Sequence, residues 1–241
     1  MKRFFIATML LFVVVTMGWA YQDSFAYLWE SDVYSNLIRA LKDNLDEKTV
    51  LSSYDSFMGS GFDTIDKSRV EYHMVRYYVE NGNKEKAQEH LENERFLFAE
   101  IPATETQIKR DFAELDLRAS EYFLDKTVGT GLATSNLTKK LFKAYPDEFY
   151  MVVTEGYRLL YTPAIAGGSA KDALELFRKV AEEADEMNDL DRFTLYSGLG
   201  MACCERKLYD EARTYFDMAT GIYKSDAAME EYLELLEKKG K

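Results

Sequence analysis

Ala173-Leu174-Glu175-Leu176-Phe177-Arg178-Lys179-Val180 and Ala212-Arg213-Thr214-Tyr215-Phe216-Asp217-Met218-Ala219 carry one spaced pattern twice, offset by 39 residues. Its small, large and small residues fall at i, i+4 and i+7, which share one face of an α-helix. A neighbouring helix approaches over the small residues and locks onto the large one. Stacked helical hairpins bury their core this way, so the pattern predicts a repeat architecture. Two weaker copies lie upstream. Ala87-x3-Leu91 has Glu94 where a small residue is expected, and Leu137-x3-Leu141-x2-Ala144 follows it. The four starts are 50, 36 and 39 residues apart, so the linkers vary in length.

Working outward, apolar periodicity and helix punctuation predict helical pairs throughout and no strand. A first helix is expected over Asp23–Lys42, through Phe25, Leu28, Trp29, Val33, Leu37 and Leu41, and a second over Glu47–Met58. Gly59-Ser60-Gly61 breaks the chain, and the next helix starts at Asp66 or Ser68 and runs to Glu80. After the turn Asn81-Gly82-Asn83, a return helix runs from Lys84 to about Ala99. A long helix is expected over Thr104–Asp125, followed by a loop over Thr127–Ser135. Asp147–Tyr161 is helical, and Ser169, with Asp172 three residues on, caps the helix after the Thr162–Gly168 loop. Asp191–Lys207 and Tyr209–Tyr223 form the last pair, and Asp226–Lys239 is a polar terminal helix. The expected fold is all-α: one right-handed α-solenoid of about five hairpins plus a C-terminal capping helix, spanning residues 21–241.

The N-terminus reads as an export signal. Met1-Lys2-Arg3 is basic, Phe4 to Val15 is apolar but short for a bilayer span, and Gly18-Trp19-Ala20 supplies small residues for cleavage after Ala20. No cysteine follows the apolar run, which argues against a lipoprotein anchor, and no later segment is apolar for long enough to span a membrane. The expected location is therefore periplasmic or secreted. The formal charge of -12 becomes -14 without Lys2 and Arg3, which disfavours nucleic acid and anionic lipid as partners. The adjacent Cys203 and Cys204 do not suit a disulfide within a helix, and no Cys-x-x-Cys spacing or neighbouring histidine points to a metal, so two buried free thiols are expected.

Tyr196-Ser197-Gly198-Leu199-Gly200-Met201-Ala202-Cys203-Cys204-Glu205, followed by Ala212, Phe216 and Ala219, resembles a tetratricopeptide repeat. Asn81 to Leu91 is similar to the turn and second helix of another such repeat, with Glu94 departing from the pattern; no closing proline follows Ala219. The widened turn from Pro163 to Ala173 is similar to turns in exported members of that family, some of which are associated with tripartite ATP-independent periplasmic solute transporters. The resemblance implies a non-catalytic scaffold that binds a protein or peptide in a concave groove lined by the first helix of each pair. An accessory role in solute transport, with a transporter partner or small ligand, is the alternative.

A search for catalytic groups finds little pattern. His73 and His90 are the two histidines, Gly129-Thr130-Gly131 lacks the Gly-Lys-Ser/Thr of a phosphate loop, and the acidic run Glu182–Asp191 lacks the glycine and terminal glutamate of a calcium loop. That run reads as a solvated connection. Paired carboxylates for glycoside cleavage cannot be singled out among so many acids, and an envelope hydrolase would need a further compact domain. No enzyme activity, metal or cofactor is expected. The groove-facing candidates are Arg69, Tyr72 and Arg76 in one hairpin, Tyr150, Tyr157 and Tyr161 in the next candidate helix, and Thr194, Ser197 and Met201 in the last pair. Tyrosine and arginine offer large contact area with a polar end. A third reading places an assembly surface at the N-terminal helix with Trp29 and Tyr34.

Overall fold

The computed structural model describes residues 21–224 and 227–239, so the expected signal segment lies outside the described residues. Among the described residues there are eleven α-helices and no strand. In chain order they are α1 (Asp32–Lys42), α2 (Glu47–Met58), α3 (Thr64–Glu80), α4 (Lys84–Ala99), α5 (Gln107–Leu124) and α6 (Val128–Ala144). The remainder are α7 (Phe149–Tyr161), α8 (Ala170–Ala181), α9 (Asp189–Glu205), α10 (Tyr209–Thr220) and α11 (Ala227–Lys239). Consecutive helices pack as hairpins α1/α2, α3/α4, α5/α6, α7/α8 and α9/α10, and α11 lies on α9 and α10. Successive hairpins meet through α3 against α5 and α7 against α9, with α4, α6 and α8 each touching the helix that follows.

The helix starts follow from side-chain caps that satisfy otherwise orphaned backbone N–H groups. Asp46 accepts from the Thr49 N–H at 3.1 Å, Asn83 from Lys86 at 3.1 Å, Ser169 from Asp172 at 3.2 Å and Asn188 from Asp191 at 3.0 Å. In the turn before α8, Gly167 sits at φ 89°, and a Cβ on Gly168 would lie 1.6 Å from the Thr162 carbonyl oxygen. Only glycines allow that close return.

The repeated pattern forms the core of the C-terminal half. Ala173, Phe177, Val180, Ala212, Phe216 and Ala219 are all buried. The two phenylalanine rings press on bare backbone. A Cβ at Gly156 of α7 would fall 2.4 Å from the Phe177 ring, one at Gly198 of α9 would fall 2.7 Å from it, and one at Gly200 would fall 2.5 Å from Phe216.

Two elements differ from the sequence reading. The expected first helix breaks at Ser31, which is extended (φ -106°, ψ 122°) and caps α1 by accepting from the Val33 N–H. Upstream, Ala26–Glu30 is a 3-10 helix. Three residues per turn brings Phe25 and Leu28 to one side, so the apolar spacing fits either helix type. The expected loop over Thr127–Ser135 is instead the start of α6. Thr127 caps it by accepting from the Thr130 N–H, and Gly131 leaves room for the Tyr122 ring, which would sit 3.2 Å from an added Cβ.

Candidate functional site

The N-terminal ends of α3, α5, α7 and α9 form one edge, and residues 21–30 run along it as a strap. Tyr21 donates its hydroxyl to Asp191 of α9 at 2.7 Å, and Asn188 donates to Tyr21 at 3.2 Å. The Phe149 N–H at the start of α7 donates to the Gln22 carbonyl at 2.9 Å. Glu148 accepts from the Ser24 N–H at 3.1 Å and from its hydroxyl at 2.8 Å. Further along, the buried Phe25 ring lies under the Arg69 guanidinium of α3, 4.3 Å from the ring centroid, and beside Phe112 of α5. Lys109 of α5 approaches the Phe25 ring at 5.7 Å and donates to the Tyr27 hydroxyl at 2.9 Å, which itself donates to Asp66 of α3. Each of four hairpins thus supplies at least one contact to a single short segment.

The floor of this edge is a charged, buried cluster. Arg69 pairs with Asp116 of α5 at 2.9 Å, and Tyr150 of α7 donates to the other oxygen of the same carboxylate while its ring lies 4.7 Å from the Arg69 guanidinium. Burial pushes the Asp116 carboxyl up, and Arg69 opposes the shift. At the α9 end, burial and then the neighbouring Asp23 raise the Asp191 carboxyl to about 7. The acidic run therefore does not end in solvent: its last member is a strap contact.

Beyond the strap, α1 packs on α2 and α3. Tyr34 is buried, with its hydroxyl 3.4 Å from the ring nitrogen of His73 on α3, while Arg39 pairs with Asp189 of α9 at 3.5 Å and Lys42 lies 5.6 Å from the Phe193 ring of α9. Through these long side chains α1 touches both α3 and α9, three hairpins apart. A cavity of about 120 Å³ remains between α1, α3 and the start of α11, lined by Lys42, His73, Arg76, Glu80 and Glu230 among others. Burial, reinforced by Arg69, Lys42 and Arg76, holds His73 neutral, well below its usual range.

The nine sequence-predicted residues do not form one patch. Arg69 and Tyr150 lie beneath the strap. Tyr72 packs on His73 and Phe123, and Arg76 lines the cavity and pairs with Glu80 at 2.7 Å. Tyr157 donates to the Thr194 carbonyl at 2.9 Å, the Tyr161 hydroxyl meets Met201 sulfur at 3.5 Å, and the Thr194 hydroxyl donates to Leu190 within its own helix. These residues form the seam between α7 and α9, where Met201 is buried. Ser197 is buried against Met229 of α11. Trp29 is half-buried, edge-on to Tyr34 at 5.0 Å.

Tyr21, Phe25, Tyr27, Glu148 and Asp191 were not singled out by sequence reasoning. A signal for them existed in the strap, where the aromatic residues alternate with Gln22 and Ala26, which stay exposed. Elsewhere, His90 is within 2.6 Å of Glu71, stacks on Tyr78 and is buried, a packing role. Cys203 and Cys204 are free and buried, and burial pushes both thiols up to about 11. Among the described residues, no cluster of three or more histidine, cysteine or acidic side chains has metal-binding geometry, and no helix is long and apolar enough to cross a membrane. No family model, curated protein or solved structure matches the chain.

Proposed function

We propose that the chain is a non-catalytic, exported scaffold of tetratricopeptide-like hairpins that binds a protein or peptide segment within the cell envelope. The observation that carries this reading is the strap: four successive first helices converge on one short peptide of the chain itself. Grooves that accept extended segments work through such serial contacts, with one or two side chains from each repeat. Tyr161 of α7, 56% exposed at the seam with α9, offers an aromatic anchor on the same helices. The test is site-specific photo-crosslinking in the envelope. Benzoylphenylalanine in place of Tyr161 should capture a discrete partner, whereas the same group in place of the exposed Phe96 on α4 should capture none. Equal capture at both positions, or none at either, sinks the groove reading.

A second reading, an accessory component of a solute transport system, draws on the cavity between α1, α3 and α11. Its basic and acidic lining suits a small zwitterion, and calorimetric titration with free amino acids tests it. Absence of heat across the twenty common amino acids would remove its support.

A further inference from the structure

Away from the strap, one face of the molecule combines uncovered apolar side chains with a local reversal of charge. The chain carries 42 acidic residues, yet beyond Asp23 its two longest stretches without one are residues 126–146 and 156–171. The first holds Lys126 and all of α6, with Lys139, Lys140 and Lys143; the second holds the last turns of α7, the Pro163–Gly168 turn and the start of α8. The fold sets the two stretches side by side: a Cβ on Gly167 would lie 4.0 Å from the Lys139 ammonium. Lys126, Lys140 and Lys143 are exposed and Lys139 is half-buried, and among the described residues none of the four forms an ion pair.

The apolar side chains here protrude. Val128 and Leu132 are 79% and 55% exposed, and Ile165, at the tip of the turn, is 100% exposed. Helical geometry places Val128, Leu132, Lys139 and Lys143 within about 60° of one another around α6, opposite the buried Leu141. The turn that carries Ile165 is closed by main-chain bonds: Ala166 N–H donates to the Pro163 carbonyl at 2.8 Å, Gly167 to Ala164 at 3.0 Å, and Ser169 to Leu159 at 2.9 Å. The backbone therefore holds the isoleucine out in solvent. Residue type then selects the partner. Protein interfaces gather aromatic residues and arginine and are poor in lysine, whereas this face offers aliphatic tips among lysines. Such tips enter the headgroup layer of a lipid surface, and ammonium groups on flexible stems stay with its phosphates.

We propose that α6 and the Pro163–Gly168 turn seat the protein on an anionic lipid surface, with Val128, Leu132 and Ile165 in the headgroup layer and the four lysines on lipid phosphates. The net charge of the chain repels such a surface at a distance, as its composition implies. At physiological ionic strength, however, charges act over only about 8 Å, so at contact the four lysines decide. This peripheral contact goes beyond the groove reading and does not rest on it.

Vesicle flotation tests it, with the chain of residues 21–241 so that the apolar run before Ala20 does not itself partition. The vesicles are phosphatidylcholine alone, or phosphatidylcholine and phosphatidylglycerol in about equal parts, at about 0.15 M salt. The chain should float with the anionic vesicles and not with the neutral ones. Lys139→Glu with Lys143→Glu should lower the partition coefficient at least about tenfold, and Val128→Ser with Ile165→Ser, at exposed positions that leave the core intact, should do the same. Lys48→Glu with Lys84→Glu makes the same change in net charge at exposed sites of α2 and α4 and should lower it less than about twofold. Equal loss in the two lysine pairs overturns the proposal, because net charge and not this face would then govern binding. Full binding by the serine pair overturns it as well. A parent chain that ignores anionic vesicles overturns it outright, and capture of an envelope protein by benzoylphenylalanine in place of Ile165 would then assign the face to a protein partner. Loss of vesicle binding leaves crosslinking at Tyr161 unaffected, so the two readings fail separately.

Discussion

Replacing Gly156 with alanine tests the packing that the repeated phenylalanine pattern builds. The new Cβ would lie 2.4 Å from two ring carbons of Phe177, whereas ordinary contact begins near 3.4 Å, so about 1 Å of movement is demanded. Phe177 is fully enclosed, with Gly198 of α9 also in contact with its ring, and the ring has no free direction in which to retreat. Overpacking of this kind costs about 1–3 kcal/mol, while alanine gains about 1 kcal/mol over glycine inside a helix. Against an enclosed ring the cost belongs to the upper part of that range, about 2–3 kcal/mol, so the expected net loss is about 1–2 kcal/mol, a fall in Tm of roughly 2–8 °C for a domain of this size. Urea unfolding followed by far-UV circular dichroism measures it. In a Phe177→Leu background the clashing ring atoms are gone, and Gly156→Ala should become neutral or stabilising, a coupling of about 1–3 kcal/mol. Gly61→Ala, where an added Cβ meets nothing within 4 Å, serves as the control. A Gly156→Ala chain as stable as the parent would refute this account, as would a penalty that survives intact in the Phe177→Leu background.

Four further outcomes follow from the buried polar groups. Glu94 is fully buried, neither of its oxygens has a hydrogen-bond partner at good geometry, and burial, with Asp116, Glu71 and Glu121 nearby, pushes its carboxyl well above the ordinary range. Its folded form holds a proton that the unfolded chain releases, so stability should fall as pH rises above the usual glutamate range, by at most about 1.4 kcal/mol per pH unit. Glu94→Gln should flatten that fall in urea titrations from pH 4.5 to 8. Asp191 has the same sign: its contribution is complete below the ordinary aspartate range and disappears as pH rises through about 7. Asp191→Asn should therefore reduce the loss of stability between pH 5 and 7.5, and an unchanged profile would remove Asp191 from the fastening. Arg69→Ala strands the buried Asp116 carboxylate and should cost about 3–5 kcal/mol in urea unfolding. Cys203 and Cys204 should react with a thiol reagent at pH 8 only in denaturant; rapid native labelling would contradict their burial.

Most helices were legible because punctuation and periodicity agreed. Asn81-Gly82-Asn83 marks the α3/α4 turn, with Gly82 at φ 72°, and Ser169 caps α8 by the bond that its spacing to Asp172 suggests. The start of α6 was not legible, because Gly129 and Gly131 lower helix propensity, while the close approach of the Tyr122 ring to Gly131, 3.2 Å from an added Cβ, shows only in three dimensions. Glu94 was visible as a break in the repeat pattern, but the groups around it, Glu71 of α3 and Asp116 and Ser120 of α5, show only in three dimensions. The candidate site was read in part. Arg69 and Tyr150 were picked as groove residues because of residue type, and they do lie at the edge. Local pattern says nothing about a strap whose contacts span from 39 to 170 residues.

That span has a consequence in time. Open arrays of repeats assemble one unit after another, each new hairpin docking on the last. Here Tyr21 completes its contacts late, since its hydroxyl waits for Asp191, 170 positions further along the chain. Until α5 exists, Phe25 lacks the Phe112 ring beside it, and an apolar ring exposed early is the kind of surface that chaperones hold or that aggregates when left unattended. One hydroxyl thus ties residue 21 to the start of α9, and truncation before α9 should leave Tyr21 without Asp191 and Asn188 while Ser24, Phe25 and Tyr27 keep their partners on α3, α5 and the start of α7.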